Sequence, residues 1–279
     1  MSAVAIIGAG GQLGTAYTRL LGEKALPLGR GDLDLRNVER IANVLDHLDP
    51  STVINCAAYT AVDRAESEED LATLINGEAV GQIADWAQRR GRPFLTFSTD
   101  YVFDGAADRP YVESSPTNPI NAYGRSKLVG EELALPRGAL VVRTSWVISG
   151  SNPNFVATIL RKVREDEVRV VDDQRGNPTV AVDLAGASYA ALRSGASGLI
   201  HLTNQGETTW YELARTSVGL AGLDPSRVSP CETVDYPTPA PRPGYSVLAS
   251  ERLEGLGLEP LPHWRESIGG VVDEIKTWI

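Results

Sequence analysis

The sequence predicts an α/β protein, a doubly wound parallel sheet followed by a smaller second lobe. Three observations carry that expectation. Short apolar runs alternate with segments of helical period through the first half of the chain. Three glycines are spaced across the turn after the first run, and beyond Val147 the alternation loosens toward a proline-rich stretch. Strand, helix and strand in succession imply parallel strands joined by right-handed crossovers, which cover both faces of one sheet.

Each element has a local reason. AVAIIG (3–8) is apolar and short, a buried strand, and Gln12 to Leu21 then follows as a helix. KALPLG (24–29) is a second short strand, NVERIANVLDHL (37–48) a helix, and STVINCAA (51–58) a third strand. A long helix is expected from about Glu68 to Arg90, and a strand over RPFLTFST (92–99). Pro116 and Pro119 break the chain before a helix that carries Tyr123 and Lys127, and ALVVRTSWV (139–147) is the next strand. Further on come a helix near 155–164, a strand at VRVVDD (168–173), a helix near 182–193 and a strand at GLIHLT (198–203). Between Cys231 and Leu248 stand Pro237, Pro239, Pro241 and Pro243. Proline fixes φ and has no N–H to donate, so this segment is an ordered loop rather than a helix or central strand. An amphipathic helix is expected over Trp264 to Trp278.

With 279 residues, 42% hydrophobic and 22% charged, the chain can bury a large core and has an ordinary globular composition. A formal net charge of −10 argues against a broad nucleic-acid or anionic-membrane surface, while leaving room for a local basic pocket and a phosphorylated ligand. The N-terminal MSAVAIIGAGG lacks a signal-peptide pattern, and no apolar run is long enough to span a bilayer. Cys56 and Cys231 lie far apart in strand contexts, so no disulfide is expected and the cytoplasm is the expected compartment. His47, His201 and His263 are scattered, which suggests no metal cluster.

IIGAGGQLGTAY places Gly8, Gly11 and Gly14 three apart between the first strand and the first helix. Three such glycines can make a simple turn. Their place after the first strand instead predicts a dinucleotide site, because a tight turn, close approach of backbone to a pyrophosphate and close helix–strand packing each need a residue without Cβ. The helix start offers N–H groups and the positive end of its dipole to the phosphates. Leu13 stands where the third glycine of G-x-G-x-x-G would fall, so the spacing is the wider one. The second strand ends in LGRGDLDL. Arg30 is either a solvated loop residue or a partner for a 2′-phosphate, which favours NADPH, with NADH possible; Asp34 and Leu35 would then lie under the adenine. On this basis residues 1–148 form the nucleotide-binding, Rossmann-like domain and 149–279 mainly a substrate-binding domain, with possible crossing back.

NAYGRSKLVGEE (121–132) sets Tyr123 and Lys127 four apart on one helix face. Such a pair can be mere surface. Alternatively, tyrosine is a poor acid near pH 7 because its free pKa is about 10, and a nearby ammonium favours the phenolate and lowers that value. The preceding strand ends in FSTDYVFDG, and strand C-termini face the ligand crevice in a doubly wound sheet. Thr99 or Ser98 is thereby placed to hydrogen-bond a carbonyl oxygen beside Tyr123.

The segments GAGGQLG, VINCAAYTAVDRAES, FSTDYVFDG, NAYGRSKLVGEE, VVRTSWV and PTPAPRPGYSVL together resemble the extended short-chain dehydrogenases, and within them the dTDP-4-dehydrorhamnose reductase family. The resemblance runs from the first strand nearly to the C-terminus. It implies reduction of the 4-keto group of dTDP-4-dehydro-L-rhamnose to dTDP-L-rhamnose, for cell-surface glycans. Carried over, Tyr123 is the proton donor, Lys127 tunes it and holds the cofactor, and Thr99 binds the keto oxygen. Asp100 and Trp146 match sugar-nucleotide contacts, although Trp146 is also a plausible core aromatic. Gly11, Gln12 and Leu13 match the pyrophosphate loop, and Ala58, Tyr59 and Thr60 the strand end beside the nicotinamide half. Arg242 matches either a diphosphate contact or a surface residue. Some members carry glutamates that bind magnesium at a dimer interface where this chain has Ala16 and Val182, which implies no metal and a monomer or weak homodimer. Related 4,6-dehydratases carry Asp-Glu after the threonine, whereas Thr99 is followed by Asp100 and Tyr101. A 4-ketoreductase of another nucleotide-deoxysugar pathway remains open. So does a non-catalytic NADP-binding subunit resembling the methionine adenosyltransferase beta subunit.

Overall fold

The computed structural model describes residues 3–279. In chain order its elements are β1 (Val4–Ile7), α1 (Gln12–Leu21), β2 (Ala25–Leu28), α2 (Val38–Leu48), β3 (Thr52–Asn55), α3 (Val62–Ala65), α4 (Glu69–Thr73), α5 (Ala79–Arg90), β4 (Phe94–Thr99), α6 (Ala122–Ala134), β5 (Leu140–Thr144), β6 (Val147–Ile148), α7 (Phe155–Glu165), β7 (Val168–Val171), β8 (Arg175–Gly176), β9 (Thr179–Val180), α8 (Ala181–Arg193), β10 (Gly198–His201), β11 (Thr208–Thr209), α9 (Trp210–Leu220), β12 (Val228–Cys231) and α10 (Trp264–Ile275). α4 runs into α5 through a wide π turn at Leu74–Glu78, so the long helix expected from Glu68 to Arg90 forms with one local irregularity.

Six strands form one parallel sheet in the order β10-β5-β4-β3-β1-β2. β1 pairs with both β2 and β3, so the chain reverses its direction of travel across the sheet at β1. That reversal opens the crevice at the strand C-termini. Alternation along β1 explains the two-sided core. Val4 and Ile6 pack with Leu13, Tyr17, Leu184 and Ile200 on the α1–α8 side. Ala5 and Ile7 pack with Ile41, Leu45, Ile83 and Trp86 on the α2–α5 side. Strands buried on both faces are continuously apolar, which is why these runs were legible as strands.

The second half crosses back. β10, the GLIHLT strand, is the sixth strand of the large sheet beside β5, and α8 packs against α1, where Tyr17 Oη and Ser188 Oγ lie 2.6 Å apart. The rest of that half forms a lobe around α7, α9 and α10, with β12 beside β7, β11 against β8 and β9 beside β6. One expected strand is broken. ALVVRTSWV does not run straight to Val147, because Trp146 adopts φ +46 and β6 leaves the large sheet to pair with β9. A left-handed tryptophan costs backbone energy and is held by its packing. The proline-rich stretch after β12 is an ordered loop, as its composition requires.

Candidate active site

The glycine loop is built for a ligand. Gly8 has φ +78, and a Cβ there would stand 2.6 Å from the Ala57 nitrogen. A Cβ on Gly14 would stand 2.2 Å from the Gly8 oxygen. α1 begins after Gly11 with no side-chain cap, so its first N–H groups point out of the helix unused. These features fit a pyrophosphate. Leu13 offers only its backbone, since its side chain is in the core. The Gln12 side chain is also engaged: Nε2 donates to Val147 O at 3.0 Å, and Ser149 Oγ donates to its Oε1 at 3.2 Å. Gln12 thus fastens the two lobes and has its N–H left for a phosphate.

After β2, Arg30 is exposed and forms no ion pair among the described residues. The Asp34 carboxylate is taken by Arg36, whose Nε lies 3.0 Å from each of its oxygens, and the hydrogen bonds from Arg36 hold it down at about 2. Leu35 is buried with the α2–α5 core, so its side chain does not form the surface under an adenine. As with Leu13, only the Leu35 backbone is then left to face an adenine.

At the end of β3, Ala58 and Tyr59 are half-buried and Thr60 is exposed. Asn76, in the π turn, clamps this segment. Its Oδ1 accepts from Tyr59 N at 2.8 Å, and its Nδ2 donates to Tyr59 O at 3.0 Å and to Ser126 Oγ at 2.9 Å. The Tyr59 hydroxyl turns away to donate to Glu68 at 2.6 Å.

α6 starts at a true cap. Asn121 Oδ1 accepts from Gly124 N at 2.8 Å, and Glu66 Oε1 accepts from Ala122 N at 2.8 Å. Tyr123 rests on Ala65, Ala72 and Ala122, and its ring meets the edge of Tyr101 at 5.9 Å. Thr99 caps the turn after β4 by accepting from Tyr101 N at 3.2 Å, and it donates to Asp100 Oδ1 at 3.0 Å. In the register of β4 and β5, Thr99 lies beside Thr144. Three buried polar atoms at these strand ends have no hydrogen-bond partner, Ser98 Oγ, Asp100 Oδ2 and Thr144 Oγ1. Buried polar atoms are nearly always paired, so this group is poised for a polar ligand.

The electrostatics differ from the sequence expectation. Lys127 Nζ donates to Phe97 O at 2.6 Å on β4. Burial lowers the lysine to about 8, partly offset by Glu131. Tyr123 goes up, to about 12, pushed first by burial and then by the Asp100 carboxylate, with Thr99 opposing. In this arrangement the ammonium does not lower the phenol; desolvation dominates it. Asp100 is itself raised to about 6 by burial. The phenol is therefore protonated at neutral pH, ready to give a proton.

Trp146 stacks on Trp210 with ring centres 3.7 Å apart, and its ring is half-buried over the second lobe. Arg242 reaches back from the proline-rich loop to Asp63 at 2.8 Å. Ala16 and Val182 line a cleft of about 250 Å³ with Gln12, Arg19, Ser149 and Glu274; none of Thr99, Tyr123 and Lys127 borders it. Asn76, Asn121, Asp63, Glu66 and Thr144 were not singled out from sequence. Asp63 and Glu66 lie inside VINCAAYTAVDRAES, and only Asn121 carried a local signal, as a cap residue before a helix.

The RmlD substrate binding domain family matches residues 1–277. A dTDP-4-dehydrorhamnose reductase of Streptomyces griseus is 44% identical over 275 residues, covering 94% of this chain and 90% of the relative. A probable dTDP-4,6-dihydroxy-2-methyloxan-3-one 4-ketoreductase of Streptomyces antibioticus is 43% identical, covering 94% and 92%. The crystal structure of dTDP-4-dehydrorhamnose reductase from Bacillus anthracis in complex with NADP superimposes with a TM-score of 0.92 at 33% identity, covering all of both chains. With its six-stranded parallel sheet, its glycine cradle and its Thr99–Tyr123–Lys127 set, the chain belongs to the dTDP-4-dehydrorhamnose reductase family, described by the RmlD substrate binding domain.

Proposed function

We propose that this protein reduces the 4-keto group of dTDP-4-dehydro-L-rhamnose to give dTDP-L-rhamnose, using NADPH, with NADH as a weaker alternative. The observation that carries the chemistry is the placement of Tyr123, half-buried at the start of α6, beside Thr99 at the end of β4, with Lys127 one turn further along the same helix. NADPH, when bound, would supply the hydride for C4. Negative charge then grows on the former carbonyl oxygen, where Thr99 holds it by a hydrogen bond and Tyr123 gives it a proton. A phenolate whose conjugate acid titrates near 12 is strongly driven to take a proton back, so the residue resets for another turnover.

The backbone of Gly8, Gly11, Gln12, Leu13 and Gly14 would hold the pyrophosphate, and Arg30 a 2′-phosphate. Ala58, Tyr59 and Thr60 would line the nicotinamide half, with Lys127 on its ribose. Asp100, Trp146 and Arg242 are assigned to the sugar nucleotide, Arg242 to its phosphates. The Trp146 stack on Trp210 supports a rigid aromatic wall for the sugar. NADPH oxidation by the purified protein with dTDP-4-dehydro-L-rhamnose, made in situ by the preceding enzymes, tests this. NADPH binding without ketone-dependent oxidation would refute it. The name of the Streptomyces antibioticus relative supports a second reading, a different dTDP-ketosugar as substrate, so kcat/KM is compared between the two ketones.

A further inference from the structure

The proline-rich loop is tied to the first lobe at Arg242. Its guanidinium is largely buried, with Nη2 on Asp63 Oδ1 at 2.8 Å and Nη1 donating to Ala240 O at 2.9 Å. Ala240 N donates to the same Asp63 oxygen at 3.3 Å, so one carboxylate holds both the loop backbone and the arginine. One residue earlier, Pro241 O accepts from Asn121 Nδ2 at 2.9 Å, and Asn121 is the residue that caps the helix of Tyr123. Tyr101, whose ring touches Tyr123, feels the charges of both Arg242 and Asp63. The ion pair therefore stands at the edge of the candidate site, joined to α6 through its cap.

We propose that Asp63 is a positioning residue: it fixes the Arg242 guanidinium so that the N–H groups it leaves free receive a phosphate of the nucleotide-sugar substrate. This rests on the assignment of Arg242 to the sugar nucleotide. A guanidinium carries five N–H donors in a rigid fork, and two of them are used here. An arginine already held in one orientation loses less side-chain freedom when a phosphate arrives, and its planar fork makes that orientation matter. The bland alternative is a loop-fastening ion pair, worth little when partly exposed. That alternative affects stability without distinguishing the two ligands.

The test measures KM for the dTDP-ketosugar, Kd for dTDP and Kd for NADPH in the full-length protein and in Asp63→Asn, Asp63→Glu and Arg242→Ala. Asp63→Asn is close in shape and keeps a loop contact, so folding is preserved. The expected result is a rise of about tenfold in KM for the sugar and in Kd for dTDP, the scale of one charge-assisted orienting bond. NADPH affinity stays the same, kcat moves far less than KM, and Asp63→Glu recovers part of the loss. If Arg242→Ala raises the dTDP Kd and Asp63→Asn does not, the positioning role is overturned. If Asp63→Asn weakens NADPH as much as dTDP, its role is structural and the inference is likewise overturned. If Arg242→Ala leaves dTDP binding unchanged, the assignment of Arg242 fails and takes the inference with it.

Discussion

Replacing Tyr123 with phenylalanine removes one oxygen and leaves the ring on Ala65, Ala72 and Ala122 and against Tyr101. The fold and the cofactor cradle are therefore spared. What is lost is the proton donor. The phenol sits near pKa 12, so at pH 7 essentially every wild-type molecule carries the proton and the variant carries none. General acid catalysis is worth about 10²–10⁴ in rate, or about 3–5 kcal/mol of barrier, and kcat is expected to fall by that factor. Loss of the hydroxyl also relieves a desolvated polar group, so the melting temperature is expected to stay level or rise slightly. The assay is single-turnover oxidation of NADPH by the dTDP-ketosugar, with a deuterium isotope effect to show that hydride transfer limits the rate, and NADPH affinity measured alongside. Lys127→Met is the contrast: it is expected to lower kcat and also weaken NADPH, because the buried ammonium serves both. A Tyr123→Phe enzyme that keeps most of its hydride-limited kcat would refute the reasoning.

Arg30 is exposed and unpaired among the described residues, so Arg30→Ala is expected to lower the ratio of NADPH to NADH efficiency by roughly tenfold, the scale of one lost charge-assisted contact. An unchanged ratio in parallel steady-state assays would remove the 2′-phosphate assignment. Asp100 titrates at about 6 when folded against an ordinary 3.8, so between those values the folded state holds more protons and stability falls as pH rises. The cost is full above pH 6, and Asp100→Asn is expected to be more stable than the wild type at pH 7.5 by on the order of 1–3 kcal/mol in urea unfolding. The gap closes near pH 3.5; a pH-independent difference would count against a buried, reluctant carboxylate. Activity is expected to survive EDTA, since Ala16 and Val182 offer no carboxylate and Glu274 in the same cleft is already paired with Arg19 at 2.7 Å. Inactivation reversed by magnesium would overturn that expectation.

The sequence by itself determined the elements whose cause is local. β1 and β3 to β5 are short apolar runs, α1 fills its expected span of Gln12 to Leu21, and the glycines after β1 announce a turn that no side chain can enter. The start of α6 was legible as well, because Pro116 and Pro119 act within a few positions of it. Only the tertiary structure decided which distant groups meet. Gln12 finds its partner 135 residues on, Arg242 finds Asp63 179 residues back, and Asn76 clamps Tyr59 from a π turn that no spacing marks. Trp146 is left-handed with its ring stacked on Trp210, a residue that lies beyond eight intervening elements of the chain. The direction of the Tyr123 shift was decided in the same way. Charge spacing along one helix suggested a lowered phenol, but burial among Ala65, Ala72 and Ala122, and the Asp100 carboxylate after β4, raise it. Propensity and period act over a few neighbours in the chain; hydrogen-bond pairing and desolvation depend on what folding brings close in space, and that is where the chemistry of this site is set.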